Sequence, residues 1–199
     1  MQQSWRNDAD KLTFIVCLAP ESLSDIKTLD SGIVPGSLDS PETMIGDVNL
    51  FLYPHEEDDE DEEGEAKDAS IAAAQKKKVI GEIEIMIARK TNQGQGLGKA
   101  VLLSFVWYVV SNLGSLMEEY HASHGVGGSQ AGSHLEYLRV KIDGNNTRSI
   151  KLFEGVGFRK VSETPNYFGE LELRRPVHPD YAAELSRELG ATPIPISYS

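Results

Sequence analysis

Val79 to Ala88 (Val-Ile-Gly-Glu-Ile-Glu-Ile-Met-Ile-Ala) is the best strand in the sequence, and it leads into a glycine loop and then an apolar helix. That succession restricts the fold more than any other feature. With period two, Val79, Gly81, Ile83, Ile85 and Ile87 fall on one face, while Ile80, Glu82, Glu84 and Met86 share the other. The loop is Gln93-Gly94-Gln95-Gly96-Leu97-Gly98. From Lys99 to Leu113 the chain is rich in Leu, Val, Phe and Trp on most sides, as in a helix packed against a sheet within a core. Leu135 to Ile142 reads as the next strand. Strand, loop, helix and strand predict a right-handed crossover in a mixed sheet. The ligand site of such a sheet is expected at the strand ends, beside the loop.

Leu12 to Ala19 and Met44 to Leu52 read as further strands, the second ending at Pro54. Residues 1–10 read as the last turns of a helix, and 20–43, rich in Pro, Gly and Ser, as a long loop. A short helix is expected from Thr147 to Glu154. Phe158 to Thr164 and Tyr167 to Arg174 suggest an antiparallel pair turning at Pro165-Asn166. The 199 residues suit one α/β (α+β) domain over 1–175, followed by a tail, 176–199, with a short helix over 181–189.

The net charge of −12 is concentrated in one place. Residues 56–68 hold ten acids and one lysine, or −9, leaving −3 for everything else. Eight consecutive acids, 56–63, bury nothing and repel one another, so the loop over 54–78 is expected to be disordered. A nucleic-acid partner is disfavoured, because binding phosphates needs a basic surface. No apolar run approaches the roughly 20 residues of a membrane helix, and the start carries no apolar signal segment. The single cysteine, Cys17, lies in an apolar run and cannot form an internal disulfide, which fits a reducing, cytoplasmic setting. A Gly/Ser/His insert is expected over 118–134. Its His121, His124 and His134 have no cysteine or acid among them within 121–134, which argues against a metal site.

Glycines let the loop turn tightly and bring its amides close to a ligand, and the helix dipole behind them favours an anion such as a pyrophosphate. The pattern is not G-x-x-x-x-G-K-[ST], since Ala100 follows Gly98-Lys99. It is not G-x-G-x-x-G either, since Lys99 stands at the third glycine position after Gly94 and Gly96. Gln93, Gly96 and Gly98 do match Q/R-x-x-G-x-G. After the next strand come Asn146-Thr147-Arg148-Ser149 and then Phe153-Glu154-Gly155-Val156-Gly157-Phe158, an N-x-x-S … G-F segment. With both motifs in order, residues 12–174 resemble the GNAT superfamily of acetyltransferases. Ser4-Trp5-Arg6, Asp10-Lys11-Leu12-Thr13-Phe14-Ile15, Ile45-Gly46-Asp47-Val48-Asn49-Leu50-Phe51 and Gly81 to Ala88 look closest to its N-acetyltransferase 9 subfamily.

The resemblance implies a mixed, mostly antiparallel sheet with a central splayed parallel strand pair, flanked by helices. It implies acetyl-CoA as cosubstrate, a protein or peptide amine as acceptor and, in some members, a connection to tubulin. Backbone groups near Met86, Ile87 and Ala88 would then pair with pantetheine amides. The loop from Gln93 through Gly94, Gln95, Gly96, Leu97 and Gly98 to Lys99 would hold the pyrophosphate. Asn146 would hydrogen-bond near the thioester, with Ser149 and Phe153 on the helix beside the pantetheine arm.

Glu82 and Glu84 share a strand face and are the carboxylates expected near the thioester, with Glu84 closer to the loop. Either could take the acceptor proton directly or through water, and a reading of both as solvent-facing strand residues stays open. Many relatives place a tyrosine where Phe153 stands, and phenylalanine cannot donate a proton to a leaving thiolate. The fold also normally begins with a strand and two helices before the strand at 12–19, so the resemblance implies a chain short of about its first fifty residues. These two departures support an alternative: a catalytically weak or inactive binding module of the same fold, associated with microtubules.

Overall fold

The computed structural model describes residues 8–19, 36, 38–55, 78–124 and 135–196. Strands β1 (Lys11–Cys17), β2 (Met44–Pro54) and β3 (Val79–Ile87) are followed by a 3-10 turn, Lys90–Asn92, and helices α1 (Leu97–Ser111) and α2 (Leu113–Ser123). Then come β4 (Leu135–Asp143), α3 (Thr147–Glu154), β5 (Arg159–Lys160), β6 (Glu170–Pro176) and α4 (Tyr181–Leu189). The six strands form one sheet in the order β1-β2-β3-β4-β6-β5, and only β3 and β4 run parallel. This is the mixed, mostly antiparallel sheet expected.

One sheet face is apolar because alternate residues register across the strands. Val48 faces Ile85, Leu50 faces Ile83 and Leu52 faces Gly81, which faces Leu138; Val140 and Ile142 face Leu173 and Leu171. Helix α1 lies against this face and buries Leu102, Leu103, Phe105, Val106 and Val109. Burying a side chain of that size contributes about 1.5–3 kcal/mol, so these five positions fix the helix on the sheet. The other face carries the alternating polar positions, among them Asp47, Asn49, Glu82, Glu84, Arg139 and Arg174.

Several boundaries differ from those read in the sequence. Residues 118–123, expected in the Gly/Ser/His insert, belong to α2, because Leu113, Met117 and Tyr120 recur at helical spacing and the last two are buried. Residues 125–134 lie outside the described residues, as do 1–7, most of 20–37 and the acidic residues 56–77. The tail is not separate from the domain. Helix α4 packs on α1 through Tyr181 and Leu185, each 1% exposed, while Glu188 pairs with Lys99 at 3.2 Å. The final hairpin is shorter than expected. Asn166 Oδ1 accepts from the amides of Phe168 and Glu170, both at 2.9 Å, so 167–169 form a turn instead of extending β6. No single helix among the described residues is long and apolar enough to cross a membrane.

Candidate functional site

The parallel pair is joined at one end only. Its register runs Val79↔Leu135, Ile80↔Tyr137, Gly81↔Leu138 and Glu82↔Arg139, and stops there, although β3 continues to Ile87 and β4 to Asp143. The strands therefore splay beyond Glu82. At the fork the Glu82 carboxylate accepts from Arg139 Nε at 2.7 Å and stands 3.8 Å from Lys141 Nζ.

A cavity of about 570 Å³ lies beside the open end of the fork. Ile85, Met86 and Ile87 of β3 line one side, the loop residues Asn92, Gln93, Gly94, Gly96, Gly98 and Lys99 the floor, and Asn146, Arg148, Ser149 and Leu152 of the α3 region the other. Gly94 and Gly96 have φ of 79° and 82°, left-handed values that side chains resist. Gly96 is the N-cap of α1, so no side chain caps the helix, and its first turn holds no acid. Nothing lies within 4 Å of where a Cβ at Gly96 would project. The first amides of α1 thus have no intrahelical acceptor and border open space, an arrangement that suits an anion.

Two cations line the same cavity. Lys99 is shared with Glu188, whereas Arg148 was not singled out in the sequence. Its Nη1 is 3.4 Å from Gln93 Oε1, and its Nη2 lies 2.9 Å from where a Gly94 Cβ would stand. Gln93 in turn donates to the Ile87 carbonyl at 2.7 Å, which ties the loop to the end of β3. A basic residue in the first turn of the helix after Asn146 was the available signal, but only the fold brings it over the loop. Uncapped amides, two left-handed glycines and two cations together suit an anionic group such as a pyrophosphate.

Of the remaining expected ligand residues, Ala88, Gln95, Leu97 and Phe153 do not line the cavity, and Asn146 lines it with part of its side chain already engaged. The Ala88 amide donates to the Ile45 carbonyl at 2.7 Å, so it serves β2 and not the cavity. Gln95 Nε2 donates to the Thr91 carbonyl at 2.7 Å, closing the loop from outside, and Leu97 is the first residue of α1 without lining the cavity. Asn146 Oδ1 accepts from the Ser149 amide at 3.1 Å and so caps α3, which leaves only its amide group for a ligand. Phe153 is 1% exposed, packed edge-on against Phe158 at 5.1 Å in the core, and does not line the cavity.

Neither Glu82 nor Glu84 lines the cavity, but Glu84 follows the fork and shares its face with Met86. Partial burial raises the Glu84 carboxyl above the usual glutamate value, and the charges of Glu82 and Asp47 push the same way. The residue is exposed, so the effect is modest. Glu82 differs, being held by Arg139. Asp47, in register with Met86, is a third carboxylate that the sequence reading did not place here. It accepts from Asn49 Nδ2 at 2.8 Å, and Asn49 Oδ1 accepts from Thr13 at 2.8 Å; Asn49, directly across from Glu84, is 6% exposed.

Among the described residues no group of three or more His, Cys, Asp or Glu could hold a metal. His124 ends α2, with Nδ1 2.8 Å from the Tyr120 carbonyl and Nε2 3.5 Å from Asp10; His134 lies outside the described residues.

Comparison with known proteins agrees with this geometry. The family model of the acetyltransferase (GNAT) domain matches residues 3–159. An N-acetyltransferase 9-like protein of Schizosaccharomyces pombe is 35% identical over 87% of this chain and 73% of its own length. The alpha/beta-tubulin-N-acetyltransferase 9 of Drosophila melanogaster is 30% identical over 95% of this chain and 70% of that protein, and its Homo sapiens counterpart 32% identical over 87% and 59%. Among solved structures, Arabidopsis thaliana NAA60 in complex with a bisubstrate analogue covers 84% of this chain at 12% identity and a TM-score of 0.43, a likeness too distant to bear on the site. The uncapped glycine loop, the forked strand pair and the sequence match lead to one assignment: the chain belongs to the acetyltransferase (GNAT) family, in its N-acetyltransferase 9-like group.

Proposed function

We propose that this chain transfers an acetyl group from acetyl-CoA to the α-amine of a protein or peptide. The observation that carries the proposal is the cavity at the fork, where an uncapped helix start and two cations meet the open edge of β3. Bound there, acetyl-CoA supplies the acyl group as a thioester. Amides of Gly94, Gly96 and Gly98, with Arg148 and Lys99, would hold its phosphates. The edge of β3 beyond Glu82, unpaired with β4, offers backbone groups to the pantetheine amides. The Asn146 amide group and Ser149 contact the same arm from α3.

Glu84 takes the acceptor proton, directly or through a water. Partial burial, with Glu82 and Asp47 nearby, raises its pKa and makes it a stronger base than an ordinary glutamate. Glu82 holds the fork, its carboxylate occupied by Arg139. The α-amine is preferred over lysine on energetic grounds. With a pKa of about 7.7–8.0 a substantial minority is already neutral at pH 7, whereas a lysine near 10.4 demands far more of a half-solvated carboxylate. The names of the relatives make tubulin the first acceptor to try, and a cytoplasmic setting, where acetyl-CoA and a reduced Cys17 coexist, accords with it.

The test is mass-spectrometric detection of acetyl transfer from acetyl-CoA to free-amine peptides, tubulin amino termini first. Turnover that falls at least tenfold in Glu84→Gln supports the proposal; an unchanged rate removes Glu84 from its role. A second reading, a module that binds without transfer, is favoured by Phe153, which offers no acid to the departing thiolate. Under it, acetyl-CoA binds normally, no peptide is acetylated, and co-sedimentation with microtubules is indifferent to Glu84→Gln.

A further inference from the structure

Resting on the cofactor reading of the cavity, we infer that Glu188 of α4 is a built-in rival of the cofactor's phosphates. It holds Lys99 in the free protein and gives it up when acetyl-CoA binds, so the contact between α1 and α4 sets the affinity of the site. Lys99 lines the cavity, and its Nζ stands 3.2 Å from Glu188 Oε1. Neither charge sits where helix stability would put it. Lys99 is the third residue of α1, at the end where the helix dipole favours an anion. Glu188 is the next-to-last residue of α4, at the end where the dipole favours a cation. Each charge offsets the other across the helix contact. Two charges that both break the local rule mark a functional constraint, not a device for joining the helices. The packing agrees, because α4 is fixed without this pair. Tyr181 and Leu185 are buried, and the Arg175 guanidinium lies 4.2 Å from the centre of the Tyr181 ring and 3.5 Å from Glu184 Oε2.

The two cations of the cavity differ in this respect. Arg148 is met by a neutral group, Gln93 Oε1 at 3.4 Å, whereas Lys99 is met by a carboxylate. An arriving phosphate therefore competes with Glu188 for Lys99. Partly exposed ion pairs of this kind are weak, while a pyrophosphate at the start of α1 meets uncapped amides and Lys99 together. The exchange thus runs towards the ligand, at a lower affinity than an unopposed lysine would give. Glu184, the other acid of α4, cannot stand in for Glu188, because Arg175 and His178 engage it, both at 3.5 Å. Product CoA carries the same phosphates as acetyl-CoA, so the rival carboxylate also favours its release after transfer.

The test is calorimetric titration of CoA into the full chain at low and high salt. The parent is compared with Glu188→Gln, Lys99→Gln and the double variant, and thermal unfolding checks that each remains folded. Glu188→Gln keeps the size of a partly exposed side chain and removes its charge. It is expected to bind CoA about threefold more tightly than the parent at low salt, the size of one partly exposed ion pair. Lys99→Gln should bind more weakly than the parent. Adding Glu188→Gln to it should leave its affinity within about 1.5-fold, because no cation is then contested. The advantage of Glu188→Gln should fall towards unity at high salt. Equal or weaker binding by Glu188→Gln overturns the inference. So does the same threefold gain in the Lys99→Gln background, which would make Glu188 a source of general repulsion and not a rival for Lys99. Absence of CoA binding by the folded parent, measured on the same samples, strikes the cofactor reading instead.

Discussion

Glu84 has three sources of destabilisation: partial burial, Glu82 and Asp47 all raise its carboxyl pKa. The sign for stability follows. A carboxyl whose folded pKa is raised costs nothing below its unfolded pKa, near 4.3, and costs its full amount above the folded value. Glu84→Gln should therefore melt higher than the parent at neutral pH and together with it below about pH 4. Activity should move the other way, with the acid limb of kcat/KM titrating above the ordinary glutamate range in the parent and vanishing in the variant. A variant that melts lower at neutral pH contradicts this assignment of charges. Gly46 marks a second constraint, since a Cβ there would stand 1.9 Å from the Met86 carbonyl oxygen. Gly46→Ala is expected to push β2 from the end of β3, costing about 1–3 kcal/mol in urea unfolding and weakening acetyl-CoA binding. At this scale period two placed Glu82 and Glu84 on one face, but nothing in the sequence gave the cross-strand register that adds Asp47 or lifts Arg148 over the loop.

Elements with a repeated apolar spacing were the legible ones. Tyr181, Leu185 and Leu189 recur every four residues, and α4 occupies the bounds expected for the short helix, 181–189. The sequence could not show that this stripe covers α1, because a tail helix and a core helix share one pattern. Leu185, 1% exposed, should show the difference. Leu185→Ala is expected to cost about 2–5 kcal/mol in denaturant unfolding, as for a core leucine, whereas a loss under about 0.5 kcal/mol would return α4 to the status of a tail. Helix α2 was missed, the apolar helix being ended at Leu113 and 118–134 assigned to an insert, because the last turn, His121 to Ser123, is polar and precedes a Gly/Ser-rich stretch, although Met117 and Tyr120 anchor it inside. The hairpin was read too long for the opposite reason. Tyr167 and Phe168 have high strand propensity, but the Asn166 side chain satisfies the following amides and holds both aromatic rings out, at 97% and 81% exposure.

For the whole molecule, the constraint visible at the outset was strand, glycine loop, apolar helix and strand, and it fixed the parallel pair at the sheet centre. The splay was implied by the resemblance, and its physical basis is evident in the register, which stops at the Glu82–Arg139 ion pair. Everything proposed about chemistry depends on that opening being a cofactor cleft and not a structural gap. Calorimetric titration of acetyl-CoA into the parent chain and a Gly96→Glu variant tests this most directly. The variant places a carboxylate on the uncapped start of α1, at a left-handed position with open space around it, so thermal unfolding must first show that it remains folded. Saturable binding by the parent and its loss in the folded variant is the predicted result. No binding by a folded parent, or undiminished binding by the variant, would contradict the account.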